Sequence, residues 1–564
     1  MNTTKAKRIL ALVLAFLILG TALGACGRQN GDGDESGKNV RTEEGAQTDP
    51  DTAAGDGSQT ETAMLEPYEF TLYYNYDWYD VSLQWGDDKV SAELQQKFNV
   101  TMNQAKPDSD PVQKMNIMAA TGDLPDVIMM DRDSTYQKLI SLGYLLPLDE
   151  FVDNNSSYKQ VIDEATVNLS RVDGKIYGLL NWATTDEHPT GNGGWVINKK
   201  IYEQLGSPKL ETTDDLYNYL KLVKESGLTV DGKSVVPIQS GAFPSLSDLI
   251  NLSFGLNHFP GDMKGVIPMG NELKLHYTDP KFTESMLFLN KLWSEGLINQ
   301  DYFVEKSEQI EEKLSTGRVA VYVGTDVTST LPNYRQRVIA NDPDNDYIVI
   351  EPIAAPGLDR KDIYTSPFMT LGWNVLCITN NAKNPERIFQ LLDYIISEEG
   401  SRLVAYGPQG ELYDEVDENG YPILKQAMSS VPEDEVKSIL GNWAVLGNTL
   451  YFDFSKVADD NRKPAEQRDW IIQAQSNIVW KHSLNTSAFS NVAPDPQSEE
   501  GIALASFDDL NKKVLPKIIM AKDENACRQA IQEAIDDAYK LGFDKAEQYM
   551  TGKYQENLES MKGK

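Results

Sequence analysis

The stretch DLPDVIMMD (123–131) constrains the fold more than any other. Its four successive apolar residues, Val127 to Met130, are bracketed by aspartates and a proline. The run is too short for a helix and lacks polar alternation, which is the pattern of a strand buried on both faces of a sheet. Such a strand needs a layer of helices on each side, and its neighbours supply them. YEFTLYYNYDW (68–78) is a β-rich run, and DDKVSAELQQKF (87–98) sets Val90, Leu94 and Phe98 at helical spacing. NVTMNQ (99–104) reads as a short strand and PVQKMNIMAATG (111–122) as a second helix. Strands alternating with helices in this way predict an α/β domain.

The alternation continues past residue 190. WVINKKIYEQLG (195–206) leads to ETTDDLYNYLKLVKESG (211–227), where Thr212 and Asp215 have capping-box spacing and Leu216, Leu220 and Val223 form a stripe. FTESMLFLNKLWSEG (282–296) reads as a helix, and GRVAVYVG (317–324), YIVIEPIAAPG (347–357) and TLGWNVLCIT (370–379) as strands. Asn384 and Pro385 mark the start of another helix, as cap and first residue. Beyond it the chain is mostly helical. About 500 residues of this kind call for more than one core.

The amino terminus has a separate logic. Lys5, Lys7 and Arg8 precede about eleven apolar residues (9–19), the length of a signal-peptide core and too short to span a bilayer. The run ends in LGAC (23–26), which resembles the bacterial lipobox. That resemblance implies cleavage after residue 25 and acylation of Cys26. Residues 27–65 are rich in Gly, Asp, Glu, Ser and Thr, so 26–65 is expected to be a lipidated start and disordered linker.

Lys and Arg number 52 against 85 Asp and Glu, a formal charge of −33, which argues against nucleic acid as a partner. Cys377 and Cys527 lack metal or redox spacing and read as buried apolar positions, with a disulfide between them left open. Asp342, Asp344 and Asp346 alternate as in a calcium loop, but Tyr347 and Ile353 replace the glycine and the acid that such a loop requires, so a turn is expected. GNGGW (191–195) is too short and wrongly placed for a phosphate cradle. His188, His258, His276 and His482 share no helix, and neither HExxH nor GxSxG occurs. No metal, cofactor or catalytic residue is expected.

Six pieces in order resemble the extracellular solute-binding proteins of ABC importers, in the large lipid-anchored carbohydrate branch of Gram-positive bacteria. They are MAATGDLPDVIMMD (118–131), DGKIYGLLNW (173–182), NKKIYEQLGSPKLETTDDLYNYL (198–220), LNKLWSEGLI (289–298), LSTGRVAVYVG (314–324) and NNAKNPERIFQLLDYIISEEGSRLVAYGPQGELYD (380–414). The resemblance implies a periplasmic-binding-protein-like fold of type II, with two α/β lobes hinged about a cleft. Lobe 1 would hold 66–182 and 348–405, and lobe 2 would hold 183–347 and 406–564.

Ligands of open α/β sheets gather at the carboxyl ends of strands, which selects Asn75, Asp77, Trp78, Asp131 and Asp133. By the resemblance, Asp133 takes the place of an acid that accepts sugar hydroxyls; for Asp131 and Asp133 alike the alternative is a helix cap. Trp182, Trp195 and Trp373 lie at strand ends or lobe crossings, where a ring can stack on a pyranose, with core packing as the alternative. Trp293 and Trp470 sit in helical patterns and read as core. Asp326 matches a further cleft position of the family, with a solvated loop acid as the alternative. The implied function is a monomeric receptor, anchored on the outer face of the cell membrane, that captures an extracellular oligosaccharide for an ABC permease. The alternatives are an anchored glycoside hydrolase or lyase, and a receptor for peptides or another solute on the same fold.

Overall fold

The computed structural model describes residues 66–153 and 155–562; the leader, Cys26 and the linker lie outside them. Eleven strands matter for the site: β1 (Tyr68–Tyr74), β2 (Val100–Ala105), β3 (Val127–Met130), β4 (Leu179–Asn181), β5 (Gly194–Asn198), β6 (Val236–Gln239), β7 (Val319–Gly324), β8 (Tyr347–Ile350), β9 (Ser366–Phe368), β10 (Asn374–Ile378) and β11 (Ser483–Asn485).

One sheet has the order β2-β1-β3-β10-β4. Strands β1, β2 and β3 run parallel, and β10 returns antiparallel between β3 and β4, pairing Val375 with Met130. All four residues of β3 are buried, as the unbroken apolar run predicts, because helices cover both faces. The other sheet has the order β8-β5-β7-β6, with β7 parallel to β6 and antiparallel to β5. The helix starts follow local chemistry. Thr212 and Asp215 form the reciprocal capping box, and Asn384 accepts from the Arg387 amide with Pro385 at the first helical position.

Two large hydrophobic cores give the two-lobed α/β fold. The first joins residues between Phe70 and Ala183 to residues between Leu371 and Leu446. The second joins Trp195 to Ile353 with Phe489 to Met550. The sequence-based borders therefore shift at two places. Strand β8 lies against β5 in the second sheet, so residues 348–353 pack there and not in lobe 1. Leu412, Val436, Leu440 and Trp443 pack in the first core, although 406–446 was expected in lobe 2. The one helix of this segment, Glu433–Leu440, lays Val436, Ile439 and Leu440 against the helix Lys89–Phe98, a tertiary match that periodicity alone does not reveal. Cys377 and Cys527 are buried, one in each core, and both are free thiols.

The chain crosses between the cores three times, and the crossings are bonded to one another. Strands β9 and β11 pair in parallel. The Thr365 hydroxyl donates to Gly193 O at 2.9 Å, the Thr365 amide to His482 O at 2.8 Å, and the Thr184 amide to Thr370 O at 2.9 Å. GNGGW belongs to this bundle: a β-carbon on Gly193 would collide with the Thr365 carbonyl, so only glycine lets the crossings approach. Among the described residues no helix is long and apolar enough to cross a membrane.

Candidate functional site

The strand order decides which side chains meet. Because β1 and β3 are parallel neighbours and β10 runs back beside β3, the carboxyl ends of the first two adjoin the start of the third. Tyr76 and Trp78 follow β1, Asp131 follows β3, and Trp373 precedes β10. These rings assemble into a platform: centroids of Tyr76 and Trp78 lie 5.1 Å apart, Tyr76 and Trp373 5.4 Å, and Trp78 and Trp373 6.3 Å. Trp373 remains 39% exposed, unusual for so large an apolar ring in a folded chain. Trp78 is half-buried and Asp77 is exposed beside it.

The platform is held from below. The Tyr76 hydroxyl donates to Asp131 Oδ1 at 2.8 Å, and burial, followed by the Asp131 charge, pushes the phenol well above its ordinary value, so it stays a donor. The Asn75 amide donates to Met129 O at 2.9 Å, while its buried Oδ1 has no partner. Asn374 is fully buried and sets its carboxamide beside the Tyr76 hydroxyl. Asp133 caps the helix Ser134–Ser141: its Oδ1 accepts from the amides of Thr135 at 2.8 Å and Tyr136 at 3.2 Å. The capping alternative thus accounts for one of its oxygens.

Trp182 sits where the first crossing leaves β4, with the left-handed φ of 57°. Its ring lies against Gly447, where any β-carbon would strike the indole, and meets Phe452 edge-on at 5.0 Å. Trp195 is a correction. It is 1% exposed and packs inside the second core, because β5 lies between β8 and β7 and all five of its residues are buried. It does not reach a cleft. Asp326 folds back over β7 and accepts from the Tyr322 hydroxyl at 2.6 Å, with burial raising its pKa.

Sequence reasoning missed Tyr76, hidden between two polar neighbours, and the whole contribution of the third crossing. There His188 Nε2 lies 2.9 Å from Asp453 Oδ2, and its ring contacts Phe454 and Trp480 at 4.5 and 4.8 Å. No local motif marks these residues; only the crossing brings them together. His482 bridges Glu351 and the Ile363 carbonyl, each at 2.8 Å, and His258 stacks on His276 at 3.8 Å inside the second core. Trp293 packs on Phe303, and Trp470 donates to Tyr347 O at 2.9 Å under the Arg335 guanidinium. In the aspartate-rich turn, Asp342 pairs with Lys200 at 2.6 Å and Asp346 with Arg335 at 2.6 Å. Among the described residues no group of three or more His, Cys, Asp or Glu is placed to hold a metal ion.

Comparison with known proteins gives the same fold. The family described as bacterial extracellular solute-binding protein matches residues 86–402. Lipoprotein LipO of Bacillus subtilis is 29% identical over 39% of this chain and 43% of its own length, less than half of that relative. The polygalacturonan/rhamnogalacturonan-binding protein YtcQ of the same organism is 22% identical over 67% of this chain and 75% of its own. Among solved structures, an HMO-binding, ABC-transporter-associated solute-binding protein of Bifidobacterium longum infantis superposes with a TM-score of 0.59 at 16% identity, over 87% of this chain and 99% of that one. The Streptococcus pneumoniae substrate-binding protein FusA, in complex with kestose, gives 0.55 at 17% identity, over 86% and 99%. With more than half of its length matched by the family and both lobes shared with these structures, this chain belongs to the bacterial extracellular solute-binding proteins.

Proposed function

We propose that this protein is a lipid-anchored receptor that captures an extracellular oligosaccharide and delivers it to an ABC permease. The observation that carries this reading is the cluster in which the exposed Trp373 and the half-buried Trp78 are backed by the buried Tyr76, with the Asp131 carboxylate bonded to Tyr76 at its edge. A flat ring stacks on the apolar C–H face of a pyranose at low entropic cost, and a carboxylate accepts from adjacent hydroxyls. The names of matched relatives support a carbohydrate: YtcQ is named for binding polygalacturonan and rhamnogalacturonan, and FusA is named a fructooligosaccharide ABC transporter substrate-binding protein. LipO, itself named a lipoprotein, supports acylation at Cys26, which would place the chain on the outer face of the cell membrane.

Asn75, Asp77, Trp78, Asp131, Asp133 and Trp373 form the lobe 1 face of the site, with Trp182 at the crossing and Asp326 on lobe 2. A sugar held on the platform gains further contacts only when the second lobe swings over it, so ligand shifts the population toward the closed form. The permease reads that form, and the ligand leaves unchanged. The receptor acts as a monomer. The test is a melting-shift screen of the purified protein against a panel of oligosaccharides, with chromatography of the sugar afterwards. Stabilisation with intact sugar is expected; cleaved sugar, or no shift with any glycan, contradicts the proposal.

A further inference from the structure

The charges around the ring platform point to the class of sugar it accepts, granted that the platform is the sugar face. Asp77, Asp80, Asp131 and Asp133 lie at the carboxyl ends of β1 and β3. Two cations lie at the same edge, and both are turned onto main-chain carbonyls. The guanidinium of Arg132 donates to Leu371 O at 2.7 Å and Gly372 O at 3.0 Å, tying β3 to the second crossing. Lys106, just past β2, donates to Tyr79 O at 2.6 Å. A uronate needs charge-assisted donors, preferably the planar fork of an arginine, and this arginine's fork is directed into the hinge. The remaining polar groups at the platform are carboxamides, Asn75 with a buried, unpartnered Oδ1 and Asn374 fully buried beside Tyr76. Carboxamides can donate to a carboxylate but supply no positive charge to offset it.

We infer that the site selects neutral or amino-bearing oligosaccharides and rejects polyuronates. This separates the chain from YtcQ, whose name records binding of polygalacturonan. Like charges a few ångströms apart at a partly desolvated surface repel strongly enough to lower affinity at least about tenfold, and salt screens that effect.

The experiment is calorimetry of the full-length protein in detergent with neutral, uronate and amino members of each glycan backbone, at 20 and 300 mM salt. The tightest binders are expected to be neutral or amino sugars. Any uronate that binds is expected to be at least tenfold weaker than its C6 amide at low salt, with the gap narrowing as salt rises. An acidic glycan among the tightest binders, or one that matches its amide at low salt, overturns the selectivity while leaving the receptor reading intact. Absence of binding by every glycan fails the receptor reading itself, and the selectivity with it.

Discussion

The Tyr76 hydroxyl and Asp131 Oδ1, 2.8 Å apart, join the ends of two parallel strands that are 55 residues apart in sequence. The bond orients the acid against the ring platform, so Tyr76→Phe keeps the ring and removes the orienting donor. Sugar affinity is expected to fall several-fold while stability changes by about 1 kcal/mol. Titration calorimetry beside urea unfolding separates the two; unchanged affinity contradicts the role.

Trp373 and Trp195 are predicted to behave oppositely. Trp373→Ala removes a 39% exposed ring and is expected to weaken sugar binding about tenfold, about 1.4 kcal/mol, with little effect on unfolding. Trp195→Ala empties part of the second core and is expected to cost about 3–5 kcal/mol of stability. Denaturant midpoints and binding isotherms of the pair check this.

Asp133→Ala should cost about 1 kcal/mol by uncapping the helix Ser134–Ser141, and Asp133→Ser should restore most of it. If sugar affinity falls in the serine variant as well, the second carboxylate oxygen is a ligand contact; if not, the residue is only a cap.

The stacked pair His258 and His276 gives stability a pH dependence. Burial holds His258 well below its usual value and His276 down at about 4. The unfolded chain therefore binds more protons below about pH 6.5, so stability present above that pH is lost as pH falls toward 4. His276 alone accounts for about 2 kcal/mol at pH 5. Unfolding midpoints at pH 7 and 5 should differ less in His276→Phe than in the parent; an equal difference contradicts the assignment.

The sequence made the buried β3 strand, the capping box at Thr212 and the helix at Pro385 legible because each is a local pattern: apolar continuity, a side chain three residues from its partner, a proline at a helix start. The lobe borders were not legible at residues 348–353 or beyond residue 405. The segment 406–446 holds a two-stranded hairpin and one short helix, Glu433–Leu440, and only the fit of that helix against Lys89–Phe98 assigns it to the first core. The site was half legible. The rule about strand ends placed Trp78 and Asp131 beside the ring cluster, but an aromatic near a strand start is ambiguous: Trp373 lies in the bend before β10 and stays exposed, whereas Trp195 lies inside β5, a strand buried on both faces. Asp453, Phe454 and Trp480 reach His188 through a crossing that no sequence signal announces.

Gly447 offers a probe of the hinge. Gly447→Ala would drive a methyl into the Trp182 indole and is expected to cost about 1–3 kcal/mol and to reduce sugar affinity, because Trp182 anchors the first crossing to the third. Unaltered affinity, measured on the folded variant, would separate that contact from closure.

The central claim is that the two lobes close over a sugar. Small-angle X-ray scattering of the protein, alone and saturated with an oligosaccharide taken from the melting screen, tests it most directly. A smaller radius of gyration and a shorter maximum dimension in the bound state are predicted. Identical curves at proven saturation would contradict the account.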